Sequence, residues 1–293
     1  MRRETGNSNI LAAIELEKKG AKQLITVTLM RPLHMIAFEA IVLFTCLYLS
    51  LAYAIFYLFF EAYPVIFEGI YHMNTGVAGL AFLPILVGAV IALGIFLCYD
   101  GIFQRAKKAN AHWASIEEYR RLPLACLGGP LYVISLFWLG WTAKPGIHWM
   151  VPMLAGVPFG IGFMLIFMAL LNYLTDAYEI FAASAMSATS ICRSIFGALL
   201  PLAAGPMYTA LGISWASSLL GFLALAMCVI PFAFIKYGDR IRANSRFCQE
   251  LRARKERLAK EKEEADAENS DETTTRMMSQ TGSENDERDS NGA

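Results

Sequence analysis

Residues 167–211, FMALLNYLTDAYEIFAASAMSATSICRSIFGALLPLAAGPMYTAL, decide the fold. They hold the end of one apolar run, a polar break at Thr175–Glu179, and a second apolar run. Arg193 is the only charged residue between Phe181 and Leu211. A lone arginine at the centre of a membrane helix costs roughly 2.5–3.5 kcal/mol on insertion scales, so it is expected to face protein or water, not lipid. Around it Ala183, Ser187, Ser190, Ser194 and Gly197 recur at spacings of four, three, four and three. That places small residues on one helical stripe, a spacing that lets a neighbouring helix come close. A membrane helix with such a stripe and a sheltered cation belongs in a bundle with a polar interior.

The composition agrees. Of 293 residues 56% are hydrophobic and 17% charged, and the mean hydropathy is +0.44. Residues 1–38 and 237–293 are polar, so the apolar content is concentrated between them. There the apolar runs reach 20 or more residues, enough to cross a bilayer as helices. They are continuous, unlike the alternating segments of a membrane barrel. The expected class is therefore an all-α membrane protein.

Six spans are predicted, at residues 39–63, 76–99, 122–142, 149–173, 181–208 and 214–235. Pro64, the Lys144-Pro145-Gly146 turn and Gly212 are expected to punctuate them. The three expected domains are a cytoplasmic segment at 1–38, a bundle at 39–236 and a charged, largely disordered cytoplasmic tail at 237–293. Within the tail, 249–267 reads as a solvated helix of alternating charge and 268–293 as disordered. Of the 25 Lys and Arg residues, 6 precede the first span, 5 lie between the second and third, and 12 follow the last. That asymmetry puts both termini in the cytoplasm. Trp138, Trp141, Trp149 and Trp215 fall near the opposite ends of the spans, as an outer aromatic belt would. Residues 1–24 are mostly polar, so the first span is expected to serve as its own insertion signal.

Few residues carry chemistry. Cys46, Cys98, Cys126, Cys192, Cys228 and Cys248 form no CxxC, and five of them lie in or beside apolar runs. They read as small buried hydrophobes, not metal ligands or disulfides. The four histidines are scattered and suggest no metal site. There is no phosphate-binding loop, nucleophile elbow, zinc-protease motif or dinucleotide fingerprint, so no enzyme is expected. Tyr53, Tyr57 and Glu61 share a helix face at four-residue spacing, which suits an organic cation; the same residues also suit an outer membrane interface. Asn172 and Asp176 are four apart, with Asp176 either capping, salt-bridging or gating. Arg193 is either a lock between helices or a group coupled to substrate or protons. Gly156-x-x-x-Gly160, Gly162 and Ser217-x-x-x-Gly221 read as packing motifs.

Four stretches carry a resemblance: YLFFEAYPVIF (57–67), LFWLGWTAKPGIHW (136–149), FGIGFMLIFMALLNYLTDAY (159–178) and AASAMSATSICRSIFGALLPL (182–202). They resemble the seventh and the ninth to eleventh spans of the major facilitator superfamily. The nearest branch is the fungal twelve-span drug:H⁺ antiporters, which include polyamine and multidrug exporters. RRETGNSNI (2–10) resembles the central cytoplasmic loop of that family, so the likeness runs from about Arg2 to Arg246. Two features depart from the pattern. Glu39-Ala40-Ile41 stands where the family often has Glu-Pro-Ile, and YDGIFQRAKKAN (99–110) follows the family's loop signature only loosely.

The resemblance implies the C-terminal half of a major facilitator fold, with a six-span N-terminal half as its missing partner. It implies export of small organic or cationic compounds at the plasma membrane, driven by a proton gradient with no cofactor and no nucleic acid. It implies gating roles for Asp100 and Arg105. Tyr53, Tyr57, Glu61, Asn172, Asp176 and Arg193 are the expected binding or coupling residues. The alternative expectation is a non-transporting half-transporter that serves as a membrane assembly partner.

Overall fold

The computed structural model describes residues 30–111, 113, 118–245, 247, 249 and 257. The chain divides into two units, 1–242 and 243–293. In the second unit the described contacts are local, such as Gln249 Nε2 donating to the Ala243 carbonyl at 2.7 Å. Most of the expected terminal segments, including the readings of 249–267 and 268–293, lie outside the described residues.

Among the described residues four continuous helical stretches are long and apolar enough to cross a membrane: Ala40–Ile70, Thr75–Lys108, Glu118–Thr142 and Met150–Gly238. The last has 89 residues. A straight helix of that length would be on the order of 130 Å, several times the bilayer core of about 30 Å. Two non-helical residues divide it. Glu179 has φ 37° and ψ −95°, and Gly212 has φ 71° and ψ 166°. The first is a positive φ uncommon for a residue with a side chain, and the second is one that glycine adopts at little cost. The result is six helical passes in an all-α membrane protein.

In chain order the helices are α1 (Arg31–Phe38), α2 (Ala40–Pro64), α3 (Thr75–Leu80), α4 (Leu83–Lys108) and α5 (Glu118–Thr142). They continue as α6 (Met150–Leu154), α7 (Gly156–Tyr178), α8 (Ala182–Leu199), α9 (Ala204–Met227) and α10 (Val229–Asn244). Pass one is α2, pass two α3 with α4, pass three α5, and pass four α6 with α7. Pass five is α8 with α9 up to Gly212, and pass six is the rest of α9 with α10.

Several boundaries differ from expectation for identifiable reasons. Pro64 does not end the first pass. The helix continues past it as a π-helical turn over Val65–Ile70. α4 runs to Lys108, carrying Asp100 and Arg105 on a helix instead of a loop. α7 runs through the polar stretch to Tyr178, where Asn172 and Thr175 turn their side chains back onto the carbonyls of Met168 and Leu171. α10 extends to Asn244, past the expected end of the sixth span.

α7 is the central post, packed on α5 and α4, while α8 lies on α2 and α9 on α5. Glycines set the spacing. A Cβ on Gly160 would run into the Ile85 carbonyl of α4, and one on Gly162 would sit 2.7 Å from the Gly128 carbonyl of α5. On the sixth pass a Cβ on Gly221 would meet the Phe137 ring at 2.8 Å. The expected packing motifs thus coincide with real close approaches. Buried tyrosines tie the helices further. Tyr132 donates to the Ala52 carbonyl (2.9 Å), Tyr208 to the Leu58 carbonyl (3.2 Å) and Tyr178 to the Glu39 carboxylate (3.0 Å). A hydroxyl in an apolar interior costs less when it has such a partner.

The two ends of the bundle differ. One collects aromatic and amphipathic side chains: Trp141 donates to Ser218 (3.1 Å), Lys144 lies over the Trp141 ring, and Tyr71 donates to the Lys144 carbonyl (3.2 Å). The other collects ion pairs, among them a buried contact between Glu118 and Arg242 that joins the start of α5 to the end of α10.

Candidate functional site

Arg193 sits half-buried on α8, and its guanidinium lies 5.1 Å from the Tyr53 ring centroid and 5.7 Å from that of Phe167. α2 supplies the first ring and α7 the second. Each can attract a cation through its π face, more strongly when the pair is desolvated. The Tyr53 and Tyr57 hydroxyls share a hydrogen bond of 2.9 Å, and their rings meet edge to face with centroids 4.9 Å apart. Gly197 makes room for this pair: a Cβ there would stand 2.9 Å from the Tyr53 ring. Among the described residues no carboxylate forms an ion pair with Arg193.

The structure therefore brings Tyr53, Tyr57 and Arg193 together. Glu61 is exposed on the same α2 face, within electrostatic reach of the Tyr208 hydroxyl. It stands eight residues beyond Tyr53, about 12 Å along the helix axis.

Of the small-residue stripe only Gly197 forms a packing seam within the described residues. Ala183, Ser187, Ser190 and Ser194 are exposed, while Ala185, Ala188 and Thr189 form the buried side of α8. Spacing alone put small residues on one stripe but could not say which way it faces. Here its four exposed members are bordered by exposed Ile191 and Ile195, while Gly197 packs against Tyr53 and Tyr57 of α2.

Next to the arginine runs a ladder of rings. Phe167 and Phe163 are 4.4 Å apart on α7, and Phe163 stacks on Phe56 of α2 at 4.5 Å. Phe56 in turn meets Phe60 at 4.6 Å, and Phe60 stacks on Phe82 at 4.7 Å. Phe56, Phe60, Phe82, Ile85, Phe163 and Met164 line most of a cavity of about 290 Å³ between α2, α4 and α7. The sequence reading did not anticipate it. The signal was present as phenylalanines at four-residue spacing on both helices, Phe56/Phe60 and Phe163/Phe167, which share a face.

At the charged end Arg121 bridges two helices. Its guanidinium lies 3.6 Å from Asp100 of α4 and 3.4 Å from Asp176 of α7, and Arg120 reaches Asp176 at 3.6 Å. The Arg121 side chain is only 12% exposed and also lies over the Phe96 ring. Asn172 is not part of this cluster; its amide donates to the Met168 carbonyl at 2.6 Å. Of the two expected gating residues, Asp100 is in the cluster and also accepts from Gln104. Arg105, one turn further along α4, makes no ion pair among the described residues. Arg121 was missed because a pair of arginines at the head of a span reads as an ordinary interfacial charge.

The multidrug transporter mdrA of Aspergillus fumigatus is 41% identical over 253 residues, which is 86% of this chain and 41% of that protein. The efflux pump FUB11 of Gibberella moniliformis is 44% identical over 222 residues, 76% of this chain and 37% of that protein. The multidrug transporter FLU1 of Candida albicans is 39% identical over 249 residues, covering 84% and 40%. No family model and no solved structure matches the chain. The chain belongs to the major facilitator superfamily, as its curated fungal relatives do. It is a membrane protein of a transport family, not an enzyme, and it spans 37–41% of the length of these three relatives.

Proposed function

We propose that these six passes are the C-terminal half of an exporter of small organic compounds, operating by proton antiport and alternating access in the plasma membrane. One observation carries this reading. The face of α2, α7 and α8 that holds Arg193, Ser187, Ser190, Ser194, Tyr57 and Glu61 is open, yet it is too polar for lipid. In this architecture each half supplies one wall of a central pathway, with the substrate near mid-bilayer. A second six-pass half is the occupant that suits this face, and the relatives' greater length supports it. Tyr57 and Glu61 are the contacts for cationic compounds, polyamines included. The charged end, with both termini, faces the cytoplasm, where Asp100, Arg121 and Asp176 latch α4, α5 and α7 together in one state of the cycle. Arg105 is available to re-pair in the other.

The test is proton-driven uptake of a fluorescent organic cation into inside-out vesicles, which mimics export. The chain co-expressed with the N-terminal half of the mdrA relative is expected to support uptake that a protonophore abolishes. The chain alone is expected to give none. Uptake by the chain alone would overturn the half-transporter reading. No uptake in either case would favour a non-transporting assembly partner.

A further inference from the structure

Among the described residues two carboxylates are buried, and they are held differently. Glu118 faces the guanidinium of Arg242. Glu39 is 3% exposed and forms no ion pair among the described residues. Its side-chain partner is the Tyr178 hydroxyl, which donates to Oε2 at 3.0 Å from a fully buried ring. Glu39 stands at the elbow between α1 and α2, with φ −107° and ψ 107°, and its side chain does not cap α2. It reaches instead to the last residue of α7. A buried charge without a counter-charge is expensive, and in membrane proteins such groups mark ion and proton pathways.

The charged and titratable groups on the surrounding helices supply no counter-charge among the described residues. On α1, Arg31 lies over the Phe181 ring at 4.9 Å and His34 meets the Phe38 ring at 4.4 Å. On α7, Asp176 pairs with Arg120 and Arg121, and Glu179 follows Tyr178 at the positive-φ turn. On α8, Arg193 lies over Tyr53 and Phe167. On α9, the Tyr208 hydroxyl donates to the Leu58 carbonyl.

We infer that Glu39 is the proton-binding group of the transport cycle and that Tyr178 reads its charge state. The inference rests on the transporter reading above and adds where the proton sits. As an anion, Glu39 accepts the Tyr178 hydroxyl in a charge-assisted bond that ties the head of the first pass to the end of the fourth. On taking one proton the carboxylate becomes a neutral acid, and the bond from Tyr178 falls to that of a neutral pair, roughly half as strong. Returning that proton to water restores the anion and the tie. Tyr178 keeps its own proton throughout, and no electron moves. Proton and organic cation then occupy separate places, because Tyr53 stands about 21 Å beyond Glu39 along the α2 axis. Coupling runs through the contact between α2 and α7, not through competition for one carboxylate.

The test has two arms. The first uses the purified 293-residue chain in lipid nanodiscs and dicyclohexylcarbodiimide, an apolar reagent that attacks protonated carboxyl groups. Mass spectrometry reads the labelled positions. Glu39 is expected to label, with a yield that falls severalfold as the pH is raised across neutrality, while Glu118 beside Arg242 stays unlabelled. Tyr178→Phe should carry Glu39 labelling to higher pH, since it removes a donor that favours the anion. A purely structural contact would not move that profile. The second arm uses the chain co-expressed with the N-terminal half of mdrA in inside-out vesicles. Glu39→Gln should abolish proton-driven uptake of the fluorescent cation, yet exchange of labelled for unlabelled cation should continue. Glu39→Asp should keep part of the proton-driven uptake. The proposal is overturned if Glu39 does not label, if its labelling ignores pH, or if Glu39→Gln still accumulates the cation. Loss of exchange together with uptake would make Glu39 a structural tie and overturn it too. Labelling that follows pH in a chain whose assembled pair transports nothing would sink the half-transporter reading and leave the proton-binding site standing.

Discussion

Two faces of this bundle are both open and differ in chemistry. Along α4, Leu86, Val90, Leu93 and Leu97 are 47–63% exposed, an unbroken aliphatic surface. Along α8 the exposed row is Ser187, Ser190 and Ser194 with Arg193 beside it, interspersed with Ile191 and Ile195 and flanked by Tyr57 of α2. Exposure alone does not distinguish them. Solvation does: hydrocarbon is a good neighbour for the first face and a costly one for the second. The lesson is that an open surface in a membrane protein identifies its environment through the polarity of what it exposes.

The largest expected effect follows from moving a charge between the faces. Val90→Arg should lower the fraction of chain inserted and folded in membranes severely, at a cost of roughly 2.5–3.5 kcal/mol. Ser187→Arg, equally exposed, should leave insertion nearly unchanged, and membrane fractionation with protease protection reads both. Equal losses would erase the distinction. Next in size is close packing behind the faces. Gly160→Leu must displace the Ile85 backbone and should cost about 1–3 kcal/mol, seen as a lowered thermal midpoint in detergent. A Gly94→Leu substitution, with nothing near its Cβ, should cost far less.

At the charged end, Arg121→Gln should destabilise by about 1–2 kcal/mol, since it strips both Asp100 and Asp176 of one shared partner. Asp100→Asn and Asp176→Asn should each cost less, because those carboxylates are a third or so exposed and screened. If either asparagine variant proves the worse, Arg121 is not the hub. The smallest effect belongs to Glu61→Gln in the complete transporter. It should weaken export of cationic compounds several-fold while sparing neutral ones; equal effects on both would leave Glu61 an interface residue.

Much of the fold was legible in the sequence because membrane spans announce themselves by run length. The six passes, the break near Glu179 and the turn at Gly212 all follow from where apolar runs stop. What run length cannot show is a helix that continues into water. α4 carries Asp100, Arg105, Lys107 and Lys108 past the end of its apolar run, because charged residues with good helix propensity can extend a helix once it has formed. Nor can it show a helix that continues past its proline, as α2 does into a π turn. The candidate site was half legible. The cost of a lone charge suggested that Arg193 shelters against protein or water, and it lies over the Tyr53 and Phe167 rings, neighbours that spacing did not name. The direction of the serine stripe, the role of Arg121 and the phenylalanine cavity depend on how separate helices rotate against each other. Local spacing does not encode that rotation.

The central claim is that the α8 face lines water in the assembled transporter while the α4 face meets lipid. The direct measurement is the reaction of Ser190→Cys and Val90→Cys with a membrane-impermeant, water-soluble methanethiosulfonate reagent. The chain is co-expressed with the N-terminal half of mdrA in native membranes, and modification is mapped residue by residue by mass spectrometry. Only a thiolate in contact with water reacts at an appreciable rate. The account predicts ready modification at position 190 and none at position 90. Equal modification of the two, or faster reaction at position 90, would contradict it.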